Sequence, residues 1–229
     1  MGRAKPPEPA DFDVDEAFRR LREMTEDLPP AGAEDLRQRG HGSPFEVLVS
    51  ALISTRTRDE MMVPVSLRLF AEADTPAKMV ALGSDRIGEL IRGVGFADVK
   101  SRDIAELSRR ILEEHGGQVP ETMEGLIAFR GIGPKVAALT LAVGFGKAAI
   151  CVDVHVHRIT NRWGYVETRT PEQTMAALEA KLPLAYYAEI NRLLVPFGKH
   201  VCTGARPKCS TCLLNAPRLC RRVGVVNPR

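Results

Sequence analysis

Three times along the chain a hydroxyl residue is followed at once by proline: Ser43-Pro44-Phe45-Glu46, Thr75-Pro76 and Thr170-Pro171-Glu172-Gln173. A serine or threonine so placed accepts a hydrogen bond from a backbone N–H of a first helical turn, and proline suits the next position, where its missing N–H costs nothing. Two of the three carry Glu or Gln three residues on, the reciprocal half of a capping box. Each therefore predicts a helix start. Asp13, with Glu16 three residues later, predicts another, ahead of Val14, Phe18, Leu21, Met24 and Leu28 at helical spacing. His115-Gly116-Gly117 ends a helix carrying Ile104, Leu107, Ile111 and Leu112. No long alternating strand pattern appears, so the chain reads as all-α. Phe45 to Ile53 is apolar nearly all round and is expected to form the buried central helix. Pro64, a few residues into an expected helix after Asp59, predicts a kink or a late start.

With 229 residues, 44% hydrophobic and 27% charged, the chain suits one large domain or two modest ones with an ordinary core. Its apolar stretches fall far short of the roughly 18 to 20 residues of a membrane span, and Met1-Gly2-Arg3-Ala4-Lys5 leads into acids rather than an apolar signal core. The expectation is a cytoplasmic protein without export signal or membrane partner. A net charge of +3 hides a polarity: residues 1–38 hold ten acids against six Lys and Arg, whereas residues 199–229 hold seven Lys and Arg and no acid. Such a basic end attracts polyanions, nucleic acid above all.

Four of the five cysteines lie in that basic segment, Cys202, Cys209, Cys212 and Cys220, spaced C-x6-C-x2-C-x7-C. In a reducing compartment four clustered thiols point to a metal, with zinc and an iron-sulfur cluster both open on the residues alone. Cys151, between Ile150 and Val152, reads as a small buried apolar residue.

Leu126 to Arg130 reads as a short helix, Gly131-Ile132-Gly133 as a tight turn, and Pro134 onward as a second helix with Val136, Leu139 and Leu141 packing inward. Such a helix-hairpin-helix brings backbone amides close to a phosphate and grips a nucleic-acid backbone without reading bases. Lys135 sits at the first turn of the second helix, where anions rather than cations are favoured. Eighteen residues on, Asp153 precedes Val156 and Ile159 and reads as an N-cap. A capping carboxylate at the mouth of a cleft also stabilises a cation developing nearby.

Gly131-Ile132-Gly133-Pro134-Lys135, the turn Gly144-Phe145-Gly146 leading to Val152-Asp153-Val154-His155, and the cysteine tail resemble the endonuclease III family of helix-hairpin-helix/Gly-Pro-Asp DNA glycosylases. The resemblance runs from about Ser43 to Cys220. It implies a two-domain all-α fold: a six-helix barrel module over residues 37–147, and an iron-sulfur module made from residues 1–36 and 148–229. It also implies a 4Fe-4S cluster on the four cysteines. The activity implied is that of a bifunctional glycosylase and abasic-site lyase acting as a monomer on oxidised pyrimidines in double-stranded DNA. Lys135 would be the nucleophile and Asp153 the stabilising carboxylate. By family position Arg56 and Phe96 would fill the space vacated by a flipped nucleotide. Gly131, Gly133, Arg206 and Lys208 would meet phosphates, and His155 would be a hydrogen-bonded support.

Three departures stand out. Arg56 occupies a position where the family commonly has glutamine, Phe96 one where leucine is frequent, and the last cysteine interval is x7 where x5 is usual. Two other readings are a monofunctional mismatch glycosylase, against which Lys135 argues, and a non-catalytic DNA-binding homologue, against which Lys135 and Asp153 together argue. His41, His115, His157 and His200 have no partner that the sequence names.

Overall fold

A computed structural model describes residues 12–229. The residues before these, including the chain start from which the lack of an export signal was read and the beginning of the 1–36 segment, lie outside the described residues. The described chain is helical, without a strand. Its elements are α1 (Val14–Thr25), α2 (Gly32–Gln38), α3 (Pro44–Ser54), α4 (Asp59–Glu72), α5 (Pro76–Leu90), α6 (Ala97–His115), α7 (Met123–Ile127), α8 (Pro134–Leu139), α9 (Val154–Trp163), α10 (Pro171–Lys181) and α11 (Tyr187–His200). No described helix is long and apolar enough to cross a membrane.

The capping signals act as their chemistry requires. Ser43 and Glu46 form a complete capping box on α3, and the side chains of Asp13, Thr75 and Thr170 accept from the backbone N–H three residues on. At Thr170 the reciprocal half is displaced, because Gln173 Oε1 accepts from the N–H of Arg169 rather than of the cap itself. Two expectations shift. α4 starts at Asp59 and continues through Pro64, so the helix does not begin late; proline there removes one ladder bond without ending the helix. α7 covers Met123–Ile127 instead of Leu126 to Arg130, because Thr122 caps it early through the N–H of Gly125, leaving Ala128 to Arg130 to the turn.

Side chains gather into two apolar clusters. The first spans Leu36 to Cys151, with α3 at its centre: all nine residues from Phe45 to Ile53 are buried. The second takes Phe18 and Leu21 of α1, then Val156, Ile159, Leu194 and Phe197 of α9 and α11, and finally Leu214 and Leu219. Each fully buried Leu or Phe contributes about 2 kcal/mol. Between the clusters runs an irregular segment ending at Asp153, where alternate side chains part company. Ile150 and Val152 enter the second cluster and Cys151 the first, which accounts for the cysteine as a core residue. α8 continues into a π-type turn, Thr140–Gly144, and a Cβ on Gly144 would stand 2.9 Å from Cα of Pro44, so the hairpin is seated directly on the start of α3.

Candidate active site

The two hairpin glycines serve different needs. Gly131 has φ +80°, and a Cβ there would lie 2.9 Å from Oδ2 of the buried Asp103 on α6, which also pairs with Arg130 at 3.2 Å. Gly133 has an ordinary φ of −102° and nothing within 4 Å of its missing Cβ, so it leaves open space at the start of α8. Lys135, the second residue of α8, is half-buried, and its Nζ donates to Ser54 Oγ at 3.0 Å. The Ser54 hydroxyl donates to Ala51 O at 2.7 Å, which leaves its lone pairs to orient the amine.

Asp153 caps α9, as expected, by accepting from the N–H groups of His155 and Val156, both at 2.9 Å and both on Oδ1. The carboxylate is thereby held in one orientation. His155 Nδ1 lies 3.1 Å from Arg158 Nη2, and its ring packs so closely on α11 that a Cβ on Gly198 would stand 2.5 Å from Nδ1. Burial pushes His155 below its ordinary value against the opposing pull of the Asp153 charge, and Nδ1 accepts from Arg158, whose guanidinium can only donate. Arg158 also donates to Gly198 O and Cys202 O, both at 3.0 Å, tying α9 to the cysteine segment.

Lys135 and Asp153 line one small cavity with Ser50, Ser54, Asp59 and Asn191. The same pair, with Ser54 and Asp59, also faces a broad cleft that includes Arg56, Val154, His155 and Lys199. Lys199 on α11 reaches across to Asp59 Oδ2 at 3.0 Å and Glu60 Oε1 at 3.1 Å on α4. Arg56 and Phe96 meet nearby: the guanidinium carbon lies 5.5 Å from the ring centre, and the ring is 60% exposed. Ser54, Asn191 and Lys199 were not singled out from the sequence. Their partners are remote along the chain, and no local pattern announces them.

The four tail cysteines line one cavity together with Arg162, Lys208 and Leu214. Among the described residues no three or more His, Cys, Asp or Glu side chains stand close enough together to hold a metal ion, so the four thiols line the cavity without forming a closed ligand set. The donor set nevertheless suits a group that binds four thiolates. Burial, followed by mutual repulsion of the sulfurs, holds Cys209 and Cys220 above the ordinary thiol range and Cys212 at about 11, the condition that a cationic centre relieves. Arg162 Nη1 donates to Cys202 Sγ at 3.4 Å. The longer last interval is anchored, since Leu214 and Leu219 are buried. Arg206 and Lys208 are exposed on the first cysteine loop, whose residues Thr203 and Gly204 line the cleft.

Residues 49–184 match the family described as HhH-GPD superfamily base excision DNA repair protein. Over 75% of this chain, endonuclease III of Thermotoga maritima is 42% identical, with 80% of that protein covered. Endonuclease III of Escherichia coli K12 is 31% identical, with 75% of this chain and 82% of that protein covered. Among solved structures, a trapped endonuclease III–DNA covalent intermediate, an estranged-adenine complex, superposes with a TM-score of 0.79 at 26% identity over 91% of this chain and 94% of the other. The family match, the two relatives and the superposition agree on one all-α fold, and the chain belongs to the helix-hairpin-helix/Gly-Pro-Asp superfamily of base excision DNA repair proteins, in its endonuclease III family.

Proposed function

We propose that this base excision repair glycosylase is bifunctional, releasing oxidised pyrimidines from duplex DNA through Lys135 and then cleaving 3′ of the abasic site. The observation that carries the reading is that the Lys135 amine and the Asp153 carboxylate face one cavity, the first aimed by Ser54 and the second by its cap on α9. The amine lone pair forms a bond to the sugar C1′ as the glycosidic bond breaks and its electrons leave with the base. Asp153 stabilises the positive charge developing on the sugar. The sugar opens to a Schiff base on Nζ; loss of a proton from C2′ then expels the 3′ phosphate. Reaching C1′ requires flipping the nucleotide, at a cost of a few kcal/mol, and Arg56 and Phe96 fill the gap. Gly131, Gly133, Arg206 and Lys208 contact phosphates, and His155 supports Asp153 and Arg158.

Cys202, Cys209, Cys212 and Cys220 would hold a 4Fe-4S cluster, which when bound cross-links the tail around its cavity. The two apolar clusters support a barrel module over 37–147 and an iron-sulfur module over 1–36 and 148–229. The protein acts as a monomer in the cytoplasm, on the nucleoid where the cell is bacterial.

Borohydride trapping on duplexes with thymine glycol or an abasic site tests the reading, with wild type compared against Lys135→Gln. A covalent adduct is expected for wild type alone. No adduct with wild type, or equal trapping by the variant, overturns the lyase assignment and returns the chain to a monofunctional or non-catalytic role.

A further inference from the structure

Lys100 stands one turn into α6 and is only 4% exposed. Among the described residues no carboxylate pairs with it. Its Nζ donates instead to Ile53 O at 2.8 Å, Thr55 O at 2.6 Å and Thr57 Oγ1 at 3.1 Å. Burying an ammonium without a counter-ion is costly, and an apolar side chain would fill the same space more cheaply. The acceptors suggest what the cost secures. Ile53 and Thr55 flank Ser54, the residue that orients Lys135, and Thr55 and Thr57 flank Arg56, whose φ of 52° must be held by its surroundings. Ile53 O and Thr55 O also lie at the C-terminal end of α3, where carbonyls lack helical donors and a cation is favoured. At its other end Lys100 is bound to the ring residue itself, since its backbone N–H donates to Phe96 O at 3.0 Å.

We propose that Lys100 is a positioning residue of this reaction, its amine clamping the loop of residues 53–57 so that Ser54 aims Lys135 and Arg56 is presented on Phe96 as one preassembled unit. The proposal rests on the lysine-nucleophile reading above. Nucleophile and gap-filling pair are then set by the same side chain, which contacts neither DNA nor sugar. Burial, with the Lys135 charge adding, pushes the Lys100 amine down to about 8, so the two amines also sense each other directly.

The test compares full-length Lys100→Met and Lys100→Arg with wild type on a thymine glycol duplex carrying 2-aminopurine beside the lesion. At a temperature where melting curves show each protein folded, Lys100→Met is expected to lose about tenfold or more in single-turnover base release. It should also lose the 2-aminopurine signal of strand intrusion while binding undamaged duplex as wild type does. Lys100→Arg, which keeps the charge and donors, should regain part of both. Phe96→Ala added to Lys100→Met should lower the fluorescence signal little further, because both changes disable the same unit. Should Lys100→Met fold poorly, Thr57→Val removes one acceptor at the loop end and should produce a smaller fall in the same two readouts. A variant that only melts earlier, with base release and fluorescence unchanged, overturns the proposal, as does full additivity with Phe96→Ala. Failure of wild type to trap with borohydride would instead remove the parent reading, so the two failures are separable.

Discussion

The guanidinium of Arg56 lies over the ring of Phe96, 5.5 Å from its centre, and both residues hold left-handed backbone angles, φ 52° and 61°. That conformation costs an L-residue roughly 1 to 2 kcal/mol. Two strained residues distant in sequence thus meet beside the cleft that holds Lys135, which Arg56 lines. Phe96→Asn separates the ring from its backbone, because asparagine tolerates this conformation better than most residues and the exposed ring has little burial to lose. Unfolding free energy should stay within about 0.5 kcal/mol of wild type in a denaturant titration, while single-turnover base release falls severalfold.

Asp153 has a capping role and a proposed catalytic one, and two substitutions divide them. Asp153→Ala removes both bonds to the first turn of α9 and should cost about 1 kcal/mol or more. Asp153→Asn keeps an equivalent cap and should hold stability close to wild type. Base release should drop in both. Denaturation midpoints and single-turnover rates on one substrate distinguish the two effects.

The hairpin glycines should respond in opposite ways to alanine. Gly131→Ala places a methyl against Asp103 at a positive φ and should destabilise the protein by roughly 1 to 3 kcal/mol. Gly133→Ala meets no atom of the protein and should change stability by less than about 1 kcal/mol. It should weaken duplex affinity nonetheless, because the methyl fills the open space proposed for a phosphate. Thermal melts and equilibrium binding to an abasic-site duplex check the pair.

Lys100 predicts a dependence of stability on pH. Its amine titrates at about 8 in the folded protein against 10.5 ordinarily, so between these values the unfolded chain binds more protons than the folded one. Stability contributed by this site therefore rises with pH across that window. Relative to Lys100→Met, wild type should gain unfolding free energy between pH 8 and pH 10, measured by urea titration at each pH. A gap independent of pH would show that the buried amine keeps its charge throughout.

Much of the helical frame was legible in the sequence because its signals are local. Ser43, Thr75, Thr170 and Asp13 each cap the turn that follows them, and the apolar run from Phe45 to Ile53 could only be buried. Errors arose where two local signals competed, as at Thr122, which starts α7 earlier than the apolar pattern alone suggests. The site was legible as residue types and opaque as relationships. Lys135 finds Ser54 at a separation of 81 residues, His41 finds Glu46 Oε1 at 2.7 Å, and His157 finds Thr174 Oγ1 at 2.6 Å. Lys100 gave no warning, since a lysine on a polar helix reads as surface until the tertiary fold covers it.

The ion pairs from Lys199 to Asp59 and Glu60 have a consequence for how DNA binding is measured. They join α11 to α4 across the cleft and are partly exposed, so added salt weakens them as it weakens phosphate contacts. A pair made equally in free and bound protein cancels from the slope of log affinity against log salt, so only a pair that duplex binding makes or breaks adds to it. A slope left unchanged in Lys199→Met would place both the pairs and the Lys199 charge outside the binding equilibrium, although that cation lines the cleft.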